Sequence, residues 1–324
     1  MNNKQYDVTV AGIATWDTLL SGIDEDLMSQ DGIVCESYIG ASGGDAVNGA
    51  INLAKLGMKV TLCACIGKDS AGQAIIDDLN SAGVNTDNVT YSDEHPTASP
   101  VLLIDKKGDR HIIRVPDNTN AYFTEEMVSD EVLRNSSHLH FASANVLRSI
   151  DGEPLGKLFK RAHDLGLTTS LDASYDRNGN WMKNIETALQ NCDVFIPSYQ
   201  EARIYAGSED VDEIIRFFSK YPLKVLGIKL GEKGVVVTDF KNKHHVGTLL
   251  EGDVVDTTGA GDAFIAGFVA AWLRGYDLYS SAVLGSAQSA AILKCVGANK
   301  GAGTFEEAMM LINRKKFTLR KAER

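Results

Sequence analysis

The residues with the clearest chemistry lie in one run, Asp256-Thr257-Thr258-Gly259-Ala260-Gly261-Asp262-Ala263-Phe264. It follows an apolar-alternating stretch ending in Val254-Val255 and opens a helix-like run from Phe264 to Leu273. A glycine-rich turn ahead of a helix leaves several backbone N–H groups without intrahelical partners, and the helix dipole adds partial positive charge at the same end. Such a loop suits an anion, phosphate above all. Asp262 falls in the first turn of that helix, beside the place a phosphate would occupy. A carboxylate there repels the ligand unless it has a task, and accepting a proton is the obvious one. The chemistry this points to is phosphoryl transfer, with backbone amides holding charge and Asp262 as base. A plain glycine turn capping a core helix is the rival reading. It would win for an isolated Gly-x-Gly, but nine residues of these types together argue against it.

Two other phosphate motifs are excluded. No Gly-Lys-Ser/Thr closes the loop, and Phe264 stands where the dinucleotide Gly-x-Gly-x-x-Gly needs its last glycine. A second glycine turn, Ser42-Gly43-Gly44-Asp45-Ala46-Val47-Asn48, runs into a small-residue helix pattern closed by Gly57. Small residues there let backbone or ligand approach closely, and Asn48, one turn in, can donate and accept hydrogen bonds. Asp17 follows a few residues after a first strand pattern, where ligand-binding groups of open α/β sheets collect. The seven histidines show no metal spacing, and His244-His245 reads as a pair facing opposite ways on a strand. No Gly-x-Ser-x-Gly elbow appears.

The elements that must position these groups follow from periodicity. Strand patterns lie at about 7–11, 58–66, 138–141, 168–172, 193–196, 225–229 and 235–238. Helical runs lie at about 70–82, 154–165, 199–206, 211–220, 261–273 and 278–294, with a loop 296–304 and a last helix from Phe305. Strand and helix in alternation imply a mostly parallel sheet with helices on both faces. Two alternating runs, 101–104 and 111–113, flank Lys106-Lys107-Gly108-Asp109 as in a hairpin. Together with parts of the loop-rich stretch 18–40, this hairpin is assigned to a small β appendage.

Composition bounds the rest. A chain of 324 residues, 44% hydrophobic and 23% charged, fits a globular α/β protein with an appendage or two domains. Its net charge of −11 argues against general nucleic-acid or membrane-surface binding. The basic end, 314–324, reads as a solvated helix face or tail. No apolar run approaches the roughly 20 residues of a membrane span, and the amino terminus leads straight into a strand pattern without a signal peptide. Five scattered cysteines include no Cys-x-x-Cys, and Cys63 and Cys65 share one face of a strand pattern. The expectation is buried thiols in a cytoplasmic protein.

Taken together, these motifs resemble the ribokinase-like carbohydrate kinases of the PfkB family over nearly the whole chain. Gly43-Gly44-Asp45-Ala46-Val47-Asn48 resembles the family's amino-terminal signature, and the run Asp256 to Phe264 matches its carboxy-terminal one. The resemblance implies a three-layer α/β fold with a mostly parallel central sheet, as a single kinase domain over 1–324. It also implies a β-sheet lid formed by segments about 18–40 and 97–116. ATP as donor, Mg²⁺ and a sugar-like acceptor follow from it as well. Asp262 would be the base, and the amides of Gly259, Ala260 and Gly261 the anion hole. Asp17, Gly43, Gly44, Asp45 and Asn48 match positions that hold the sugar. For ATP the matching positions are Ser198, Lys229, Gly231, Gly234, Thr257 and Ser286.

Some matches depart from the family's pattern. Lys229 replaces a threonine in the nucleotide loop Lys229-Leu230-Gly231-Glu232-Lys233-Gly234, and a solvated lysine after a strand is the rival reading. Ser198 stands for an asparagine, with a helix N-cap as its other role. Glu201 keeps the acidic position that acts on Mg²⁺ through water. Asp256, Thr258, Val296 and Ala298 match a monovalent-cation site, K⁺ by its carbonyl ligands.

Substrate clues are fewer. Asp45 stands where members acting on phosphorylated sugars carry lysine, so an unphosphorylated sugar or sugar acid fits better; capping its helix is its other reading. Arg177, in Asp172-Ala173-Ser174-Tyr175-Asp176-Arg177, is offset by one residue from a fructokinase-like and ketodeoxygluconate kinase-like pattern. Arg110 follows the hairpin turn, where it would close over substrate or simply face solvent. A nucleoside kinase, with Phe123 or Tyr175 stacking on a base, is one rival. Others are a non-catalytic sugar-responsive binding protein and an NAD-dependent oxidoreductase. Exposed edges of the lid predict a homodimer.

Overall fold

Strands with few polar interruptions suit a sheet covered on both faces, and the chain builds one. This computed structural model describes residues 4–24, 27–106 and 110–322. In chain order the strands are β1 (Tyr6–Gly12), β2 (Thr15–Ile23), β3 (Ser37–Gly43), β4 (Val60–Cys63), β5 (Cys65–Gly67), β6 (Thr90–Ser92) and β7 (Val101–Asp105). They continue as β8 (Arg110–Ile113), β9 (Ser136–Ala144), β10 (Thr168–Ala173), β11 (Val194–Phe195), β12 (Val225–Lys229), β13 (Val235–Thr238) and β14 (Lys243–Val246). The helices are α1 (Asp45–Lys55), α2 (Ser70–Ser81), α3 (Asp130–Arg134), α4 (Glu153–Asp164) and α5 (Met182–Leu189). After these come α6 (Tyr199–Ala206), α7 (Val211–Phe218), α8 (Ala260–Leu273), α9 (Leu278–Ile292) and α10 (Phe305–Arg314).

The large sheet runs β14-β13-β12-β11-β10-β9-β1-β4. It is parallel from β4 to β12 and antiparallel through β13 and β14. One apolar core packs α1, α2, α8, α9 and α10 on one face, and a second packs α4 to α7 on the other. The helices α8 and α9 lie so close that a Cβ added at Gly267 would come 2.8 Å from Gly285 Cα. A separate four-stranded sheet, β3-β2-β7-β8, carries the expected appendage. Its first two strands reach further along the chain than the sequence suggested, from Thr15 to Gly43. Asp17 therefore lies within β2, opposite Ala41, and not in a loop after β1.

Three other expectations change. The single strand at 58–66 is two, because Ala64 separates β4, paired with β1, from β5, paired with β6. The alternating run ending in Val254-Val255 forms no regular element, and both valines are exposed, at 49% and 57%. Helix α5 forms where no helix is expected: Trp181 (φ 42°) precedes it, and no Ser, Thr, Asp or Asn stands there to signal a cap. The turn expected at 106–109 falls mostly on residues outside those described, as do the last two residues of the basic end. Cys63, Cys65 and Cys192 are buried thiols, and no disulfide forms among the described residues. None of the helices, among the described residues, is long and apolar enough to cross a membrane.

Candidate active site

In a parallel sheet the ligand-binding edge is the carboxyl end of the strands, and that edge gathers the titratable groups. Lys229 closes β12 and reaches across to β10, with Nζ 3.2 Å from Asp172 Oδ1. A Cβ added at Gly261 would lie 3.2 Å from the same Nζ, so the ammonium sits against the first turn of α8. Its side chain is only 17% exposed, which overturns the solvated-lysine reading. Burial alone would pull the Lys229 pKa down, but the carboxylates of Asp172, Glu201 and Asp262 reverse this and hold it above the ordinary value. A fixed cation therefore stands where the glycine loop offers its amides.

Asp262 has the opposite problem. Burial raises its pKa well above the ordinary carboxylate value, and Asp45 and Asp172 push it further. A hydrogen bond from Asn48 and the charge of Lys229 pull the other way. Asn48 Nδ2 donates to Asp262 Oδ2 at 2.8 Å. Asn48 is itself oriented by Asn299, whose Nδ2 donates to Asn48 Oδ1 at 3.1 Å and to the Ser42 carbonyl at 2.9 Å. An oxygen of Asn48 that already accepts from Asn299 leaves the amide N–H group to face Asp262. The result is a carboxylate held in place with a raised proton affinity, as a general base needs.

Two glycine turns shape the floor. Gly259 is left-handed (φ 77°), and a Cβ there would come 2.1 Å from the Ala298 carbonyl oxygen. Asp256 ties the same two loops together. One of its oxygens accepts from Thr258 N and Oγ1 at 2.9 and 2.7 Å, and the other from Gly297 N at 3.0 Å. The segment with Asp256, Thr257 and Thr258 thus meets the segment with Val296, Ala298 and Asn299. In the other turn, a Cβ at Gly43 would lie 2.2 Å from Asp17 Oδ2, and Gly44 (φ 90°) presses on the Ile13 carbonyl. Burial raises the Asp17 pKa and Asp45 adds to it, against a hydrogen bond from Thr15 and the charge of Arg114.

The remaining expected residues divide. Asp45 does not cap its helix: Gly44 is the N-cap, and the Asp45 carboxylate accepts from Ser174 Oγ at 2.7 Å. Ser198 does cap α6, in a reciprocal box where Glu201 Oε2 accepts from Ser198 N at 2.7 Å. Both stand beside the cluster, since Ser198 bridges to Lys229 and the Lys229 charge acts on Glu201. Gly231 (φ 63°) faces open space, whereas a Cβ on Gly234 would come 2.1 Å from the Val246 carbonyl oxygen. Gly234 is therefore glycine for the sake of β14. Ser286 is buried within α9. Phe123 is fully buried in the core and unable to stack on a ligand, while Tyr175 is 54% exposed. The Arg110 backbone lies in β8 and its side chain falls outside the described residues. Sequence reasoning missed Asp172, Ser174 and Asn299 as site residues. Asp172, the last residue of a strand expected to end at the ligand edge, offered the one usable signal.

Beside this cluster lies a cavity of about 610 Å³ between the small sheet and the loops after β9 and β10. Asp45 and Ser174 line it, as do Thr15, Asn120, Tyr175 and Arg177. A buried carboxylate, a fixed cation and a glycine turn at the strand ends, beside a cavity under a separate small sheet, make up the arrangement of a ribokinase-like fold. The chain belongs to the pfkB family of carbohydrate kinases, whose model matches residues 7–304. It is 31% identical over 273 residues to the ATP-dependent ribose-1-phosphate kinase of Halopiger xanaduensis, covering 84% of this chain and 86% of that protein. To the ATP-dependent 6-phosphofructokinase of Thermoanaerobacterium thermosaccharolyticum it is 25% identical over 302 residues, 92% of this chain and 91% of that one. Among solved structures it resembles Arabidopsis thaliana ribokinase complexed with ribose and ATP. That match has a TM-score of 0.81 at 22% identity and covers 97% of this chain and 99% of that one.

Proposed function

We propose that this kinase transfers the γ-phosphoryl group of ATP to a hydroxyl of an unphosphorylated sugar or sugar acid, with Asp262 as base. The observation that carries this reading is the juxtaposition at α8: a carboxylate of raised proton affinity in the first turn, and Lys229 Nζ packed on the same turn. The base takes the acceptor proton as the oxygen attacks the γ-phosphorus, while the bond from that phosphorus to the oxygen bridging the β-phosphate breaks and ADP leaves with the electron pair. The amides of Gly259, Ala260 and Gly261, with Lys229, hold the charge that spreads over the transferring group. The related plant ribokinase structure, which contains ribose and ATP, supports the donor and the class of acceptor.

The acceptor side is polar in the way a polyol requires. Asp17, Asp45 and Asn48 offer acceptors and a donor, and buried hydroxyls need such partners. The small sheet supplies Asp17 and one wall of the cavity. Its closing would exclude water that competes with the sugar hydroxyl. Along the strand ends, Ser198, Gly231, Thr257 and Ser286 are the positions assigned to the nucleotide, with Gly234 supporting the loop. No three His, Cys, Asp or Glu groups are gathered to cage a metal among the described residues. Mg²⁺ fits best as an ion brought with the nucleotide phosphates, with Glu201 and Asp172 acting on it from the protein side. When bound it would offset phosphate charge. K⁺ is assigned to the joined loops of Asp256, Thr258, Val296 and Ala298. Exposed Tyr38, Ile112 and Ile113 on the outer strands of the small sheet offer a surface for a second copy of the chain, which sedimentation would reveal.

A nucleoside acceptor is the second reading. Tyr175, exposed in the cavity and held edge-on against Trp181 at 5.0 Å, could stack on a base. ADP release over a panel of hexoses, pentoses, keto-sugar acids and nucleosides separates the two. A folded Asp262→Asn variant that keeps near wild-type turnover would refute the base assignment. Ligand binding without ADP release would leave the sugar-responsive binding protein.

A further inference from the structure

The chain is acidic, with a net charge of −11, yet the cavity beside the reacting groups is not. Three guanidinium groups line it, from Arg114, Arg148 and Arg177, against the single lining carboxylate of Asp45. They come from separate parts of the fold: Arg114 follows β8 on the small sheet, Arg148 the end of β9, and Arg177 the end of β10. None of the three forms an ion pair with a carboxylate within 4 Å among the described residues. Arg114 does feel the charge of Asp17, and Arg148 Nη2 donates to Asn178 Oδ1 at 2.9 Å.

The loops that carry Arg148 and Arg177 are built to stay put. Asp176 is buried, and its two oxygens accept from Asn178 N and Trp181 N at 2.7 and 2.6 Å, on both sides of Arg177. Asn145, left-handed at φ 79°, donates to the Ser174 carbonyl at 3.0 Å and accepts from Asn184 Nδ2 at 3.2 Å, linking the two loops. Asp151 accepts from Asn145 N at 2.9 Å and completes the joint. Rigid backbone under long cationic side chains lowers the entropy lost when they close on a ligand. Meanwhile Asp45, which suits a hydroxyl, lines the same cavity and acts on the charge of Asp262 as well as on that of Asp17.

We infer that the acceptor is acidic: its hydroxyl-rich end meets Asp45 and Asp17, and an anionic group at its far end is held by Arg177 with Arg148 and Arg114. The chemistry recognised is a carboxylate or a phosphate monoester, both of which match the planar guanidinium fork. This rests on the kinase reading above and narrows its acceptor. It treats Arg177, which from sequence could only be called offset from a known pattern, as the residue that sets specificity.

The test compares matched acceptors: D-glucose, D-gluconate and D-glucose 6-phosphate, and the corresponding ribose series. ADP release should show an anionic member ahead of its neutral partner in kcat/KM. In Arg177→Ala the ratio of anionic to neutral kcat/KM should fall about 10- to 100-fold, the usual value of a hydrogen bond to a charged group. The loss should lie in KM, and Arg177→Lys should recover only part of it because the fork is gone. A carboxylate preference identifies a sugar acid; a phosphate preference keeps the anion pocket and corrects the unphosphorylated acceptor. Preference for neutral sugars, or a ratio unmoved in the folded Arg177→Ala/Arg148→Ala variant, overturns the inference. Should no acceptor release ADP, the kinase reading fails by itself. Calorimetric titration of the same ligands into wild type and variant then decides the pocket: acid binding lost with the arginines upholds it, and equal or absent binding overturns it.

Discussion

The two glycine turns of this protein look alike in sequence and do opposite electrostatic work. Each opens a buried helix, α1 or α8, and each has a glycine with positive φ. At the first turn a carboxylate leans on the glycine: Asp17 Oδ2 would meet a Gly43 Cβ at 2.2 Å. At the second an ammonium does so, with Lys229 Nζ 3.2 Å from a Gly261 Cβ. Negative groups suit the hydroxyls of an acceptor, and a positive group suits a phosphoryl donor. Asn48, on the first helix, donates to Asp262, on the second, so one hydrogen bond joins the two halves at the proposed site of proton transfer. A glycine turn at a helix start is thus a blank socket, and the charge its neighbours place over it decides what enters.

The largest break in this comparison removes the proposed proton acceptor at the junction. Asp262→Asn should lower kcat by about 10²–10⁴ with KM for both substrates little changed, since an amide keeps the size and the contact with Asn48. Steady-state kinetics on a variant with wild-type circular dichroism checks it. Next comes the anion turn itself. Gly259→Ala puts a methyl group 2.1 Å from the Ala298 carbonyl oxygen and an L-residue at φ 77°. The displaced amides should cost about 10²–10³ in kcat with a lower Tm. If Gly43→Ala proves equally damaging to kcat and not to acceptor KM, the division of labour between the turns is wrong.

A subtler change leaves both turns intact and removes the charge between them. Lys229→Met deprives Asp172, Glu201 and Asp262 of the cation all three interact with. Turnover should fall about 10- to 100-fold, as for loss of a charged hydrogen bond. Lys229 also lowers the Asp262 pKa. Without it the base should hold its proton to higher pH, and the acidic limb of the kcat profile should move up. An unmoved limb would show that Lys229 serves ATP alone.

Much of this was readable from spacing. Both turns, Asp262, Asn48 and the strand–helix order follow from local patterns, because a helix start or a strand is a property of neighbours in sequence. What could not be read is pairing across the sheet edge. Asp172 meets Lys229 only because β10 and β12 lie either side of β11, and a serine-rich or glycine-rich neighbourhood gives no hint of that order. Asn299 reaches Asn48 from 251 positions away, and nothing local marks it. The alternative of Asp45 as a cap fails because capping is a local rule, while its partner, Ser174, arrives from the end of β10. The failure at Val254-Val255 has the same root: alternation suggests a buried face, but no strand stands beside these residues to cover one.

The smallest effect tests the cost of crowding carboxylates at the junction. Burial raises the Asp45 pKa above its ordinary value, and Asp172 adds to it. A carboxylate with a raised folded pKa adds to stability below its unfolded value, and that contribution is lost as pH rises through the folded pKa. Near neutral pH ionised Asp45 therefore weakens the fold. Asp45→Asn keeps an acceptor for Ser174 and removes the charge, so Tm at pH 7 should rise by a few degrees, about 2–4 °C per kcal/mol for a chain somewhat smaller than this one. The gain should shrink as pH falls toward the ordinary carboxylate range, where wild-type Asp45 is itself neutral. Activity should drop even so, because the acceptor loses a charged partner. Thermal melts of both proteins from pH 4 to 8 decide it, and a gain that persists unchanged at low pH would mean packing, not charge, sets the cost.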